Sequence, residues 1–305
     1  MGKTVVTNLA EFQTLLQELT KRGEDLLYRG QRDSDWPVSC AAARRLVANP
    51  TDLLELQSLS EKTLVGYLEF LIAKARMRGF MPPGFREDAS SLELLAQLQH
   101  QGAATGLFDC TRQPLVALWF ACGHPNSRDG AVYVLPRSAT KGLTSRRDIE
   151  KELRSHYLDD TISSWEPSVI GNRIVAQSSV FLLGVSAIGP NKMDQIIVEK
   201  RCKTVIRSQL ASVYGITEEM LFSDFPGYAV ANGFDKSFDK SNTISYWIER
   251  LEMAADDNAK ATAHFDCGLA FEAIEEHESA LTHYEAARLI RGRESMPSED
   301  AGEGK

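Results

Sequence analysis

The chain has 305 residues, 43% hydrophobic and 25% charged, the balance of an ordinary globular protein, which excludes a wholly disordered or fibrous one. A net charge of −8 argues against a general binder of nucleic-acid backbone but leaves room for a local basic groove. No run reaches the roughly 18 apolar residues of a membrane span, and MGKTVVTNLAEF has no apolar signal core, so a cytoplasmic protein away from membranes is expected.

Asn8 to Leu19 carries apolar residues at helical spacing, with Asn8 as N-cap and Glu11 completing a capping box. DLLYRG reads as a short strand, and DSDWP as a loop. Thr51 to Met77 predicts one or two helices, broken by Pro82-Pro83-Gly84. Ser90 to His100 and Gln113 to Cys122 are further helices, the second with Pro114 in its first turn. GAVYVLP, SSVFLLGV and QIIVEK read as strands; between them, Ser145 to Ser155 reads as a charged helix and Ser163 to Pro167 as a loop. TVIRSQLASVYG is a helix ending at Gly215. The mixture without strict alternation makes the class α+β, with small mixed sheets and flanking helices.

Lys260 to Arg291 is different in kind: Ala-rich, helical, without a strand signal. Gly268, Phe271, Ala280, Tyr284 and Ala287, with HES as a turn between two short helices, resemble one tetratricopeptide repeat. An ordinary helical hairpin fits the same residues. A single repeat cannot bury its own face, so it packs on the main domain, on the preceding helix around Tyr246 to Met253, or on a partner. The expected division is 1–240 as the main domain, 241–292 as the helical segment and 293–305 as a disordered acidic tail. Cys40, Cys110, Cys122, Cys202 and Cys267 are five, scattered, and never spaced C-x-x-C, which argues against a disulfide framework or a zinc site. No metal is expected.

Three segments concentrate polar chemistry. Tyr28-Arg29-Gly30-Gln31 sets an arginine, a rigid phosphate-matching fork, on a strand beside a glycine that admits close approach. An Arg at a strand end is also an ordinary surface ion pair. His100, Thr105, Asp109 and Thr111 cluster ahead of the apolar helix PLVALWFA, where Asp109 or Thr111 can equally cap that helix. Arg173 and Gln177 precede the strand SSVFLLG, where a buried pair bonding the backbone is the plain alternative.

In this order the segments resemble the FRG domain family. The matching residues are Tyr28 to Gln31, Trp36 and Arg44; then His100, Gly102, Thr105, Leu107, Asp109, Thr111 and Pro114 to Ala121. Asp129 to Val132, then Arg173, Gln177 and Phe181, and finally Phe222, Asp224 and Gly227 complete a resemblance spanning about residues 25–235. The sequence departs from the family pattern at Ala104, Gly106, Cys110, Ser179 and Cys40-Ala41.

The resemblance implies an ADP-ribosyltransferase-like core, in which an arginine on the first strand holds the NAD phosphates. Arg29 would take that part, Thr105 the second element, and Gln177 would stand where a ribose-binding glutamate is usual. Tyr28, Gly30, Gln31, His100, Thr111 and Arg173 would line the NAD site, and Asp109 or Glu199 would supply the carboxylate that Gln177 lacks. It also implies a toxin or effector of an anti-phage or toxin–antitoxin module, with a macromolecular acceptor and a protein partner or antitoxin at residues 260–291. The alternative is a non-catalytic ligand-sensing module that docks a partner through its C-terminal helices. A nuclease or RNA-binding reading has only Arg76, Arg78, Arg86 and Arg146-Arg147 in its favour, and these read as solvated helix faces.

Overall fold

The computed structural model describes residues 3–294 apart from 22, 81–88, 125–126, 158–160, 168–171, 232–239 and 274. The chain divides into two compact units, Met1–Ala231 and Asn232–Lys305.

The first unit opens with β1 (Thr4–Val6) and α1 (Leu9–Thr20). Asn8 caps α1 by accepting the Glu11 N–H at 2.9 Å, while the Glu11 carboxylate accepts from the Thr7 N–H at 2.7 Å, one residue before the position a capping box uses. Next come β2 (Leu26–Gln31), β3 (Val38–Ser39), α2 (Ala41–Leu46), α3 (Leu53–Ser58), α4 (Glu61–Met77) and α5 (Ser91–His100). The Thr51–Met77 pattern is thus two helices, because Leu59 leaves helical geometry and Ser60 caps a new one. Ser90 and Glu93 form a full capping box on α5.

The chain continues through β4 (Phe108–Thr111), α6 (Pro114–Ala121), β5 (Gly130–Pro136), β6 (Lys141–Leu143), α7 (Arg146–Ile149), β7 (Ser163–Trp165) and α8 (Asn172–Ala176). Then β8 (Ser179–Leu183), β9 (Ala187–Ile188), β10 (Asp194–Val198), α9 (Lys203–Tyr214), α10 (Glu218–Leu221) and α11 (Phe225–Ala231) complete the unit. Gly215 ends α9 at φ 63°, the left-handed conformation a glycine adopts without strain.

Two expectations here need correction. Ser145–Ser155 is not one helix but the single turn α7, capped by Ser145, and a separate 3-10 turn over Leu153–His156. Ser163–Trp165, expected as loop, is a fully buried strand between β6 and β8. Three residues are too few to show a period, and only the neighbouring strands make it β. Pro82 to Gly84 lie outside the described residues.

The expected small sheets are instead one mixed sheet of eight strands, ordered β1-β10-β5-β2-β4-β8-β7-β6, with β3 and β9 forming a separate pair. Alternation along the strands feeds two cores. Leu27, Ala131, Tyr133 and Leu135 face one way, packing with α2, α3, α4 and α5. Leu26, Tyr28, Val132 and Val134 face the other way, packing with α1, α6 and α9.

Helix α6 lies unusually close to the sheet. A Cβ on Gly30 would stand 1.9 Å from the Ala117 carbonyl oxygen, and one on Gly130 would stand 2.1 Å from that of Ala121. Both glycines are therefore required by the helix above them, one in β2 and one in β5.

The second unit holds α12 (Lys240–Glu252), α13 (Asp257–Ala273) and α14 (His277–Glu294). His277-Glu278-Ser279 is not the turn but the first turn of α14, and the two helices are long. Gly268 faces the Tyr284 ring, which a Cβ would meet at 2.4 Å. His264 and His283 meet at 3.0 Å through their Nδ1 atoms. Helix α12 covers part of α13, the Cys267 thiol lying 3.2 Å from the Trp247 carbonyl. Among the described residues no helix is long and apolar enough to cross a membrane.

Gly130→Ala drives a methyl into the backbone of α6 and should lower stability by about 3 kcal/mol, read as a shift of the urea unfolding midpoint. Gly142→Ala, whose Cβ meets nothing nearer than 3.9 Å, should leave that midpoint within about 1 kcal/mol.

Candidate functional site

The site begins with an interrupted ladder. β2 pairs with β5 along all six of its residues, but with β4 only through Tyr28 opposite Thr111. Past that pair the hydrogen-bond ladder stops, and a cavity of about 240 Å³ occupies the gap, lined from β2, β4, α5, α6 and α8. Arg29 spans the interruption: its Nη1 donates to the backbone carbonyl of Asp109 at 2.6 Å, and its Nε reaches Gln31 Oε1 at 3.5 Å. The arginine thus satisfies a carbonyl that a complete ladder would have used. It is a structural brace as well as a cation in the cavity.

Asp109 presents its carboxylate on the exposed side of β4. Gln99 Nε2 donates to Asp109 Oδ1 at 2.6 Å, and Thr105 Oγ1 donates to Gln99 Oε1. Thr105 is fully buried and does not line the cavity. Its hydroxyl fixes which way the Gln99 amide points, so it positions Asp109 through Gln99. The sequence placed Thr105 in direct contact with ligand; the structure sets it one residue behind. Gln99 was missed, although it directly precedes His100 in the same motif.

Thr111 Oγ1 donates to the Gln177 carbonyl at 2.6 Å and accepts the Gln113 N–H at 2.9 Å. It fastens the turn before α6 to the end of α8, so neither Thr111 nor Asp109 is a conventional N-cap, and Gln113 at that position makes no side-chain cap bond. Gln177 lines the cavity while its Nε2 donates to the Leu221 carbonyl at 3.0 Å.

His100 and Arg173 are joined by a residue the candidate site did not include. Asp224 receives Arg173 Nη2 at 2.7 Å, lies 2.6 Å from His100 Nε2, and accepts the Gly227 N–H at 2.8 Å. The Arg173 guanidinium lies over the Phe222 ring, 4.7 Å from its centroid. This clamp fastens residues near 100, 173 and 224 around one wall of the cavity. The spacing Phe222-x-Asp224-x-x-Gly227 carried the signal. Burial opposes the Asp224 charge, but the bonds from Arg173, Gly227 and His100 win and hold its carboxyl below the ordinary value.

The remaining candidates sort by position. Tyr28 is buried against α6 yet reaches the cavity wall, and Gly30 lies on the same wall. Gly30 is glycine because of α6, so the closeness read as ligand approach is first a helix contact. Gln31 is buried beyond this cavity, donating to the Trp36 carbonyl at 3.0 Å. Glu199 does not line the cavity and pairs with Arg201. Cys110 lines it, but burial pushes its thiol up to about 12, far from a nucleophilic thiolate at neutral pH. Among the described residues no group of three or more His, Cys, Asp or Glu side chains is placed to hold a metal ion.

Residues 24–130 match the family model of the FRG domain. The matched segment runs from the strand bearing Arg29 to the glycine opening β5, and includes Gln99, His100, Asp109 and the whole of α6. The FRG match ends before Arg173, Gln177 and Asp224, which complete the cavity from further along the chain. No curated protein and no solved structure matches.

Asp224→Asn should lower stability by about 3 kcal/mol at pH 7, because it leaves Arg173 and His100 without their shared anion. The folded carboxyl titrates below its ordinary value, so its stabilisation is complete above about pH 4 and is lost as pH falls through the lower, folded value. Urea unfolding of wild type and variant should therefore converge on acidification below about pH 4.

Proposed function

We propose that the FRG-domain chain is an ADP-ribosyltransferase-like enzyme that takes NAD as substrate. The observation that carries this reading is that a strand-borne arginine, Arg29, and a carboxylate, Asp109, share one cavity at an interruption in the central sheet. Arg29 offers the fork that suits a pyrophosphate. Cleaving the bond to nicotinamide develops positive charge on the ribose, and a nearby carboxylate stabilises it. Asp109 is that carboxylate, held by Gln99 and, behind it, Thr105. Gln177 is a neutral amide able to bond ribose hydroxyls. The ADP-ribosyl group passes to a macromolecular acceptor or to water. An NAD-consuming activity suits a toxin-like effector in a defence module, and the helices over residues 260–291, read as tetratricopeptide-like, are the surface for a restraining partner.

One observation favours a second reading. The Gln177 amide is already committed to the Leu221 carbonyl, and among the described lining residues Asp109 is the one carboxylate. A domain that binds the nucleotide without turning it over, and signals through its C-terminal helices, would need no more.

The two readings separate on incubating the protein with NAD labelled on its adenine side, with and without cell lysate. The enzyme reading expects nicotinamide release, with label on a macromolecule if an acceptor is present. Asp109→Asn should lower release by about 100-fold or more while a thermal melt stays two-state. Wild-type release unaffected by Asp109→Asn would overturn the assignment of the carboxylate. Silence from a folded wild type would favour the binding module.

A further inference from the structure

Next to the first cavity, and sharing Arg29 with it, lies a second one of about 370 Å³. Arg29, Gly30 and Phe120 belong to the walls of both. The second cavity also takes in Arg32, Arg44 and Trp36, and among the described residues no carboxylate lines it. Three guanidinium groups thus share one concavity without a counter-ion in its wall. Partial burial first, and the Arg29 charge second, lower the pKa of Arg44, as expected of two like charges facing one space.

The wall is built rather than incidental. Arg44 is anchored by donating to the Ser39 carbonyl. The loop carrying Arg32 and Trp36 is tied from two sides by buried polar groups. Gln31, 7% exposed, holds the Trp36 carbonyl at 3.0 Å, and Lys203, fully buried, holds the Arg32 carbonyl at 2.9 Å and that of Arg128 at 3.3 Å. Arg32 stacks over Trp36 at 5.1 Å from the ring centroid, while Trp36 keeps 40% of its surface exposed. An exposed indole on an anchored backbone, beside the anchored guanidinium groups of Arg29 and Arg44, joins a stacking platform to a polyanion site. The volume falls within the roughly 300–1,000 Å³ of small-molecule sites, which the first cavity alone does not reach.

We infer that the second cavity is a nucleoside diphosphate subsite, with the phosphates between Arg29 and Arg44 and the base against Trp36. The inference rests on the NAD reading in taking adenine as the base and in setting a dinucleotide across Arg29; the phosphate and stacking chemistry come from the cavity itself. It assigns binding roles to Trp36 and Arg44, and it sets the two halves of a dinucleotide in the two cavities that share Arg29. The nicotinamide to be released and the ribose it leaves lie toward Asp109, and the ADP part of the transferred group lies toward Trp36.

The test is calorimetric titration of the full chain with ADP, adenosine and inorganic pyrophosphate, each without NAD. ADP should bind at least about tenfold more tightly than either fragment. Trp36→Leu should weaken ADP and adenosine by about tenfold or more and leave pyrophosphate unchanged. Arg44→Gln should weaken ADP and pyrophosphate by about tenfold or more and leave adenosine unchanged. Thr51→Glu, which sets a carboxylate on the exposed rim of the same cavity, should abolish ADP binding in a protein that melts like wild type, and stands in if the Arg44 variant does not fold. Failure of wild type to bind ADP at millimolar concentration, or ADP binding unaffected by Trp36→Leu and Thr51→Glu, overturns the inference. NAD turnover without ADP binding would sink the subsite and leave the enzyme reading standing. ADP binding with the expected variant pattern but no turnover would do the reverse.

Discussion

The contact on which the rest of the first unit depends is the seating of α6 on two bare backbone positions. Gly30 in β2 and Gly130 in β5 let the helix lie against the strands at distances that a single methyl would forbid. Because α6 is short, and apolar on nearly every face, its place is set by this contact rather than by an amphipathic stripe. Seating it there fixes the turn before it, hence Thr111, and through Thr111 the end of α8. The cavity wall is therefore a consequence of helix–sheet packing before it is a device for chemistry.

Polar contacts then finish what packing begins. Arg29 replaces a missing rung between β2 and β4, and Thr105 orients Gln99, which orients Asp109. The Asp224 clamp draws together segments more than a hundred residues apart in sequence. Thr105 and Asp224 hold lining side chains from positions that do not themselves line the cavity, an arrangement that keeps a site in shape before anything binds.

Much of this was legible in the sequence where a signal is local. The strands holding Arg29 and Val132, the helix ending at His100 and the left-handed Gly215 rest on residues adjacent in the chain. The grouping of Arg29, His100, Asp109, Arg173 and Gln177 was legible through the ordered motifs, and these residues do line one cavity. What was not legible depends on partners far away in the chain. Ser163–Trp165 is a strand only because β6 and β8 flank it. Thr105 looks like a contact residue until Gln99 is seen in front of it, and Gly30 looks like a concession to a ligand until α6 is set above it. Asp224 looked like one more family residue, because its two partners lie 51 and 124 positions away.

The interrupted ladder gives this domain an edge in the middle of its sheet rather than at the border. The strands on either side, β1-β10-β5-β2 and β4-β8-β7-β6, are two half-sheets joined through one registered pair and an arginine. A molecule bound across Arg29 and Asp109 would supply the absent rungs and couple the halves. Occupancy would then be felt across the whole domain as cooperative stiffening, and not only in a loop around the ligand. In such a fold a bound molecule completes the architecture, and its departure would loosen the same central line that holds the halves together.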